Sequence, residues 1–147
     1  MDFHIRAPVV NDAPVIQNLL DELGYKITEE QITDKIQKLD EQKSYQAFVA
    51  EMDSRVIGFM SFHIIDWFHQ TDCMARLSAL VVDKSYRRKG LGNILIQLAE
   101  TQALQAGCTV MELSSNLRRK TKGTYEFYLA HRYRNMKDQT TYFRKNL

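Results

Sequence analysis

The stretch from Arg76 to Gly107, RLSALVVDKSYRRKGLGNILIQLAETQALQAG, most restricts what this chain can fold into. Leu77, Ala79, Leu80, Val81 and Val82 make a short, largely apolar, β-branched run, as expected of a strand buried on both faces. From Leu91 the apolar residues recur at 91, 94, 95 and 98, which is helical spacing, and Gly107 stands where such a helix would stop. Between the two lies Tyr86-Arg87-Arg88-Lys89-Gly90-Leu91-Gly92. Glycines there let the backbone approach a ligand closely, and the N–H groups of a helix's first turn face it with partial positive charge. A strand, a basic glycine turn and a helix together make a place for a phosphate.

The rest of the chain reads around that unit. Phe3, Ile5 and Ala7 alternate with His4 and Arg6 as a short first strand. Asn11 or Asp12 can cap a helix carrying Val15, Ile16, Leu19, Leu20 and Leu23, with Pro14 in its first turn and Gly24 at its end. Thr28-Glu29-Glu30-Gln31 has capping-box spacing, and Ile32, Ile36 and Leu39 follow on one side of a second helix. Tyr45 to Met52 and Val56 to His63 read as strands joined by a turn at Asp53-Ser54-Arg55. The aromatic segment Ile64 to Met74 begins as a strand end and becomes a loop. After the central unit come a strand over Thr109–Ser114, a very basic stretch from Asn116 to Gly123, a helix over Thr124–His131 and a last strand near Thr140–Arg144.

The chain's 147 residues suit one domain, residues 1–147, with a real core and no repeat or linker to divide it. With 44% hydrophobic and 26% charged residues the composition is that of a soluble globular protein. A net charge of +2 does not by itself indicate a nucleic-acid binder, so the placing of the cations matters more than their number. Cys73 and Cys108 lack metal-ligand spacing and read as reduced thiols. No metal is expected. No apolar run is long enough for a transmembrane helix and no signal-peptide pattern opens the chain, so a cytoplasmic location and no membrane partner are expected.

Strands joined by a crossover helix are usually parallel neighbours. The segments leaving Val82 and Ser114 would then emerge at one edge of the sheet. They carry Lys84, Arg87, Arg88 and Lys89 on one side and Arg118, Arg119, Lys120 and Lys122 on the other, eight of the twenty Lys and Arg residues. A ligand with several phosphates suits that edge. Nucleic-acid backbone is the rival, but no aromatic platform or recognition-helix motif accompanies the cations.

Arg87-x-x-Gly90-x-Gly92 behind Leu80-Val81-Val82, within the wider run Ala-Leu-Val-Val-Asp-x-x-Tyr-Arg-Arg-Lys-Gly-Leu-Gly, resembles the acyl-CoA pyrophosphate loop of the GNAT N-acetyltransferases. Neither G-x-x-x-x-G-K-[ST] nor the first glycine of G-x-G-x-x-G is present. The resemblance implies an α/β (α+β) fold: a mixed, strongly twisted central sheet with helices on both faces. It implies acetyl-CoA as cosubstrate and direct transfer of acetyl to a primary amine of a small molecule or protein in a ternary complex. Backbone at Leu80, Val81 and Val82 would hold pantetheine, with an N–H near Val82 polarising the thioester carbonyl. Arg87, Arg88, Lys89, Gly90, Leu91, Gly92 and Asn93 would hold the pyrophosphate.

A second matching region runs from Asn116 through Phe127-Tyr128-Leu129-Ala130-His131-Arg132-Tyr133. By the resemblance Asn116 contacts the pantetheine arm or substrate, and Tyr128 is the acid that protonates the departing thiolate. The plain alternative for Tyr128 is an aromatic packing the core beside Phe127. Two departures stand out: Arg132-Tyr133 replaces the usual Gly-Phe, and the strand Arg76–Val82 lacks the Glu that serves many relatives as general base. Glu51, His63, Asp66, His69 and Asp72 are the candidates, directly or through a water. Leu23-Gly24-Tyr25 resembles a sequence of a small-GNAT subgroup, and Tyr25, Trp67 and Phe68 are candidates to line the acceptor pocket. The two loop aromatics serve equally as core or as contacts of a homodimer. The alternative function is a non-catalytic acyl-CoA-binding or regulatory module of the same fold.

Overall fold

The computed structural model describes residues 2–117, 119 and 123–147. Its backbone clusters into two compact units, one up to Leu113 and one from Ser114 onward, and each is described by itself. The first contains β1 (His4–Arg6), α1 (Ala13–Glu22), α2 (Glu29–Gln37), β2 (Tyr45–Met52), β3 (Arg55–Ile65), β4 (Cys73–Val82), α3 (Leu91–Gln105) and β5 (Cys108–Glu112). The five strands lie in the order β1-β2-β3-β4-β5, antiparallel except for the parallel pair β4 and β5 that α3 connects.

Local chemistry explains most boundaries. The capping box opens α2 as its spacing predicts: the Gln31 N–H donates to Thr28 Oγ1 at 3.2 Å, and the Thr28 N–H donates to Gln31 Oε1 at 3.0 Å. Asp53 and Ser54 adopt φ of 50° and 60°, the left-handed pair that lets a two-residue turn match the twist of β2 and β3. Asp12 precedes α1 without capping it. Its carboxylate instead accepts from the Val9 N–H at 2.8 Å and from Arg6 Nη1 and Nη2 at 2.7 and 3.0 Å. Arg6 Nε also donates to Glu51 at 2.9 Å, so one guanidinium ties the entry to α1 to β1 and β2.

Side chains alternate across a strand, and each face of this sheet has its own helices. Val49, Val56, Phe59, Ala79 and Val81 pack with Ala13, Ile16, Leu19 and Leu23 of the α1 segment and Ile32 of α2. Gly58 points the other way: a Cβ there would meet Leu95 Cδ1 at 3.2 Å and Leu91 Cδ2 at 3.4 Å. Hydrogen at that position is what lets α3 lie close to β3. Leu91, Leu95, Ile96, Ala99 and Ala103 form the buried stripe of α3, and Met60 and Phe62 are fully buried. Each such large side chain contributes roughly 1.5–3 kcal/mol of burial. The expected arrangement, a mixed sheet with helices on both faces, is the one observed.

Three segments differ from the sequence reading. β3 extends to Ile65, and β4 begins at Cys73, well before the apolar run that signals it. Cross-strand pairing sustains both extensions, from Ile64 opposite Ala75 to Ile65 opposite Met74. The expected strand near Thr140–Arg144 does not form: these residues are exposed and belong to no ladder. Alternation alone cannot make a strand where no partner accepts its backbone hydrogen bonds.

Cys73 and Cys108, paired across β4 and β5, are both free thiols with sulfurs 2.9 Å apart. Burial, with the hydrogen bond and charge of Cys73, pushes the Cys108 thiol up to about 12. No helix among the described residues is long and apolar enough to cross a membrane.

Burial pushes the Asp12 carboxyl up, but the hydrogen bonds from Arg6 and Val9 and the Arg6 charge outweigh it and hold it below the ordinary value. A depressed carboxyl stabilises the fold above its unfolded-state pKa, and that stability is lost as pH falls through the folded one. Asp12→Ala is therefore expected to cost about 2 kcal/mol at neutral pH, with the gap to wild type closing in acid. Denaturant unfolding across pH checks this, and a gap equally wide in acid would exclude the linkage.

Candidate active site

β4 carries the site because its pairing changes along its length. Ser61 pairs with Ala79, but Phe62 pairs with Leu77, so Ser78 is an extra residue in the ladder. Such a bulge puts two successive side chains on one face and bends the strand. Here Ser78 and Ala79 both face the α1–α2 side, and Ser78 Oγ lies 2.8 Å from Ser61 Oγ. On the opposite edge β5 accompanies β4 only from Cys73 to Arg76, where Arg76 sits opposite Glu112. From Leu77 to Val82 no strand among the described residues pairs with that edge. Leu80, Val81 and Val82, expected to hold the pantetheine arm, lie on this open stretch.

The chain then turns into α3 by way of a short 3-10 turn, Lys84–Tyr86. The Asp83 carboxylate accepts from the Ser85 N–H at 2.8 Å and from Arg55 at 3.3 Å, while the Asp83 N–H donates to Ile57 O at 2.8 Å. Arg87 Nε donates to Val82 O at 2.8 Å, and its Nη2 pairs with Glu22 at the end of α1. The Arg87 head thus braces the strand end against α1; Arg87, Arg88 and Lys89 are all exposed. Arg88 takes φ +60° and Gly90 φ +86°. These left-handed residues reverse the loop onto the start of α3, whose first-turn N–H groups have no acceptor within the helix. Backbone N–H groups in such a turn form a concavity for an anion.

On the α1–α2 face a cavity of about 420 Å³ reaches β4 at Ser78 and Ala79. Apolar groups from α1, α2 and the sheet, including Ile16, Ile32 and Phe59, form much of its wall. Tyr25, Lys26, Lys35, Tyr45, Ser61 and His63 supply the polar part, and no carboxylate is among the lining residues. The open edge of β4 and this cavity meet at the bulge.

A model of the acetyltransferase (GNAT) family matches residues 14–133. The chain belongs to that family. It is 31% identical over 86 residues to an aminoalkylphosphonate N-acetyltransferase of Salmonella typhimurium, a match covering 58% of this chain and about half, 54%, of that protein. Two solved structures share the fold along essentially the whole chain. Glucosamine-6-phosphate N-acetyltransferase from Arabidopsis thaliana superposes with a TM-score of 0.79 at 19% identity, covering 97% of this chain and 99% of that one. AAC(6')-Iy in complex with the bisubstrate analogue CoA-S-monomethyl-acetylneamine superposes with a TM-score of 0.80 at 17% identity, covering 100% of both.

Within this GNAT chain the remaining expected residues fall in different places. Tyr25 lines the cavity. Trp67 and Phe68 do not: they stand in the loop of residues 66–72 that joins β3 to β4, and Phe68 is wholly exposed. Asn116 and Tyr128 belong to the second unit, whose helix α4 spans Thr124–Ala130. The Tyr128 ring packs edge-on against Phe127 at 5.2 Å and Tyr133 at 5.7 Å. Arg132, where the family pattern has glycine, takes φ +66° just past α4, so the left-handed turn is kept without the glycine. Of the second cluster of cations, Arg118, Lys120 and Lys122 lie outside the described residues. No group of three His, Cys, Asp or Glu side chains among the described residues can hold a metal ion.

Lys35, Tyr45, Ser61, Ser78 and His63 were not singled out together by sequence. The alternation Phe59-Ser61-His63 marks one face of β3, but only the bulge shows that Ser78 joins it. At Gly90 an added methyl meets no neighbouring atom within 4 Å, leaving only the left-handed backbone as the cost. Gly90→Ala is expected to lower stability by roughly 1 kcal/mol and to weaken acetyl-CoA binding. Unfolding and calorimetric titration check the two effects, and unchanged values would remove the left-handed turn from the site.

Proposed function

We propose that this protein transfers acetyl from acetyl-CoA directly to the primary amine of a small molecule bearing an acidic group. The observation that carries this is the meeting, at the Ser78 bulge, of an open β4 edge beside a basic glycine turn with the cavity on the α1–α2 face. In this reading Arg88 to Asn93 hold the pyrophosphate through loop and helix N–H groups and Lys89. Arg87 keeps the loop in place. Leu80 to Val82 hold pantetheine along the free edge, and a backbone N–H near Val82 stabilises the oxyanion of the tetrahedral intermediate. The amine attacks the thioester carbon, the C–S bond breaks, and Tyr128 gives its proton to the thiolate. Asn116 contacts the arm.

Lys26 is paired with Asp21, but Lys35 adds a cation to a wall with no carboxylate among its described lining residues, which favours an anionic substituent over a polycation. The aminoalkylphosphonate acetyltransferase among the relatives supports that class. Calorimetric titration with acetyl-CoA, with CoA and a DNA duplex as controls, is expected to give near one site per chain and no DNA binding. Failure to bind acetyl-CoA alongside DNA binding would overturn the assignment. A thiol-release screen is then expected to favour 2-aminoethylphosphonate over a polycationic aminoglycoside, and Lys35→Glu to raise KM for the phosphonate roughly tenfold. Tyr128→Phe is expected to lower kcat roughly 100-fold without changing acetyl-CoA affinity. Unchanged turnover across pH would remove its acid role.

A further inference from the structure

An alkylamine acceptor is mostly an ammonium ion at neutral pH and must lose a proton before it can attack. β4 offers no carboxylate for the purpose, and the five acid–base candidates of the sequence separate in the fold. Glu51 is held by the Arg6 guanidinium through Nε and Nη2. Asp66, His69 and Asp72 belong to the loop joining β3 to β4 and do not line the cavity, and the His69 ring lies 5.7 Å from that of Trp67. His63 alone of the five is in the cavity wall.

We propose that His63 is the group that takes the proton from the acceptor amine in this cavity. It sits on β3, two residues from Ser61 and opposite Arg76, on the strand pair whose bulge joins the cavity to the open edge of β4. Its ring lies 5.5 Å from that of Tyr45 on β2. The other titratable side chains in the wall are two phenols, Tyr25 and Tyr45, and two alkylamines, Lys26 and Lys35. Hydroxyl oxygens are very weak bases, and the imidazole nitrogen is the side-chain type in this wall whose ordinary basicity suits proton transfer near neutral pH. The surrounding charges favour a neutral ring. Lys35 reaches the same wall from α2, while Arg76 on β4 forms an ion pair with Glu112 at 3.8 Å. Burial first, and then the Lys35 charge, hold the His63 pKa below the ordinary histidine value. Both effects favour the neutral ring, and the exposed side chain can return the proton to solvent.

The proton count closes. The ammonium gives one proton to His63, the free amine attacks the thioester carbonyl, and the nitrogen loses a second proton as the C–S bond breaks. One proton ends on the CoA thiol and one in solvent. This assignment rests on the acetyl-transfer reading above, and its test separates the two.

His63→Gln and His63→Asn are compared with wild type on 2-aminoethylphosphonate and on 2,2,2-trifluoroethylamine, which is largely unprotonated at neutral pH. Circular dichroism checks folding, and calorimetry checks acetyl-CoA binding. The expected result is a fall in kcat of roughly 100-fold on the phosphonate, a small change on the fluorinated amine, and loss of the acid limb of the wild-type pH profile. Equal losses on both amines, or no loss on either with acetyl-CoA binding retained, would overturn the role of His63 and leave the transferase reading standing. A wild-type protein that does not bind acetyl-CoA would overturn both.

Discussion

The parallel ladder between β4 and β5 stops early, and the site depends on where it stops. Parallel neighbours normally continue side by side, each satisfying the other's backbone groups. Here the last shared position is Arg76 opposite Glu112, and β4 continues to Val82 with no strand paired to that edge among the described residues. An unpaired edge inside a protein is costly unless something else supplies hydrogen bonds. In a GNAT acetyltransferase the expected supplier is the amide-bearing arm of acetyl-CoA. The bulge at Ser78 belongs to the same feature, since it bends β4 close to where the ladder ends.

Holding that edge open requires stiffness elsewhere. Four antiparallel strands, buried on both faces by α1–α2 and α3, give β4 a fixed side from which to depart. Arg87 then fixes the far end through Val82 O and Glu22. Its charge is exposed and the pair is worth little as stability. Its geometric effect is larger, because it decides where the loop and the first turn of α3 stand relative to the strand. A side chain expected to meet phosphate thus works first as a brace.

Legibility in the sequence followed the range of the interactions. The glycine turn, the Thr28–Gln31 capping box, the Asp53-Ser54 turn and the stripe of α3 are set by neighbours within a few residues, and all were readable. The Tyr142-Phe143 segment has strand composition but no partner, and composition cannot report a partner's absence. Trp67 and Phe68 look like pocket residues by type, yet they stand in the loop joining β3 to β4 and do not line the cavity. Arg132 conceals a left-handed position that a glycine would have announced. His63 was one of five candidate bases in sequence, and only the face of β3 it occupies places it in the cavity wall.

The sequence by itself determined the family, the kinds and order of elements up to α4, and the loop that suits a pyrophosphate. These follow from local periodicity, glycine positions and a contiguous motif. Tertiary structure decided which edge of β4 stays open, that Ser78 and Ala79 share a face, and that Tyr25, Lys35 and His63 surround one cavity. Those outcomes arise from pairing between residues far apart in the chain and from a single extra residue in a ladder. A one-residue change of register sends side chains to the other face, and no short-range pattern records it.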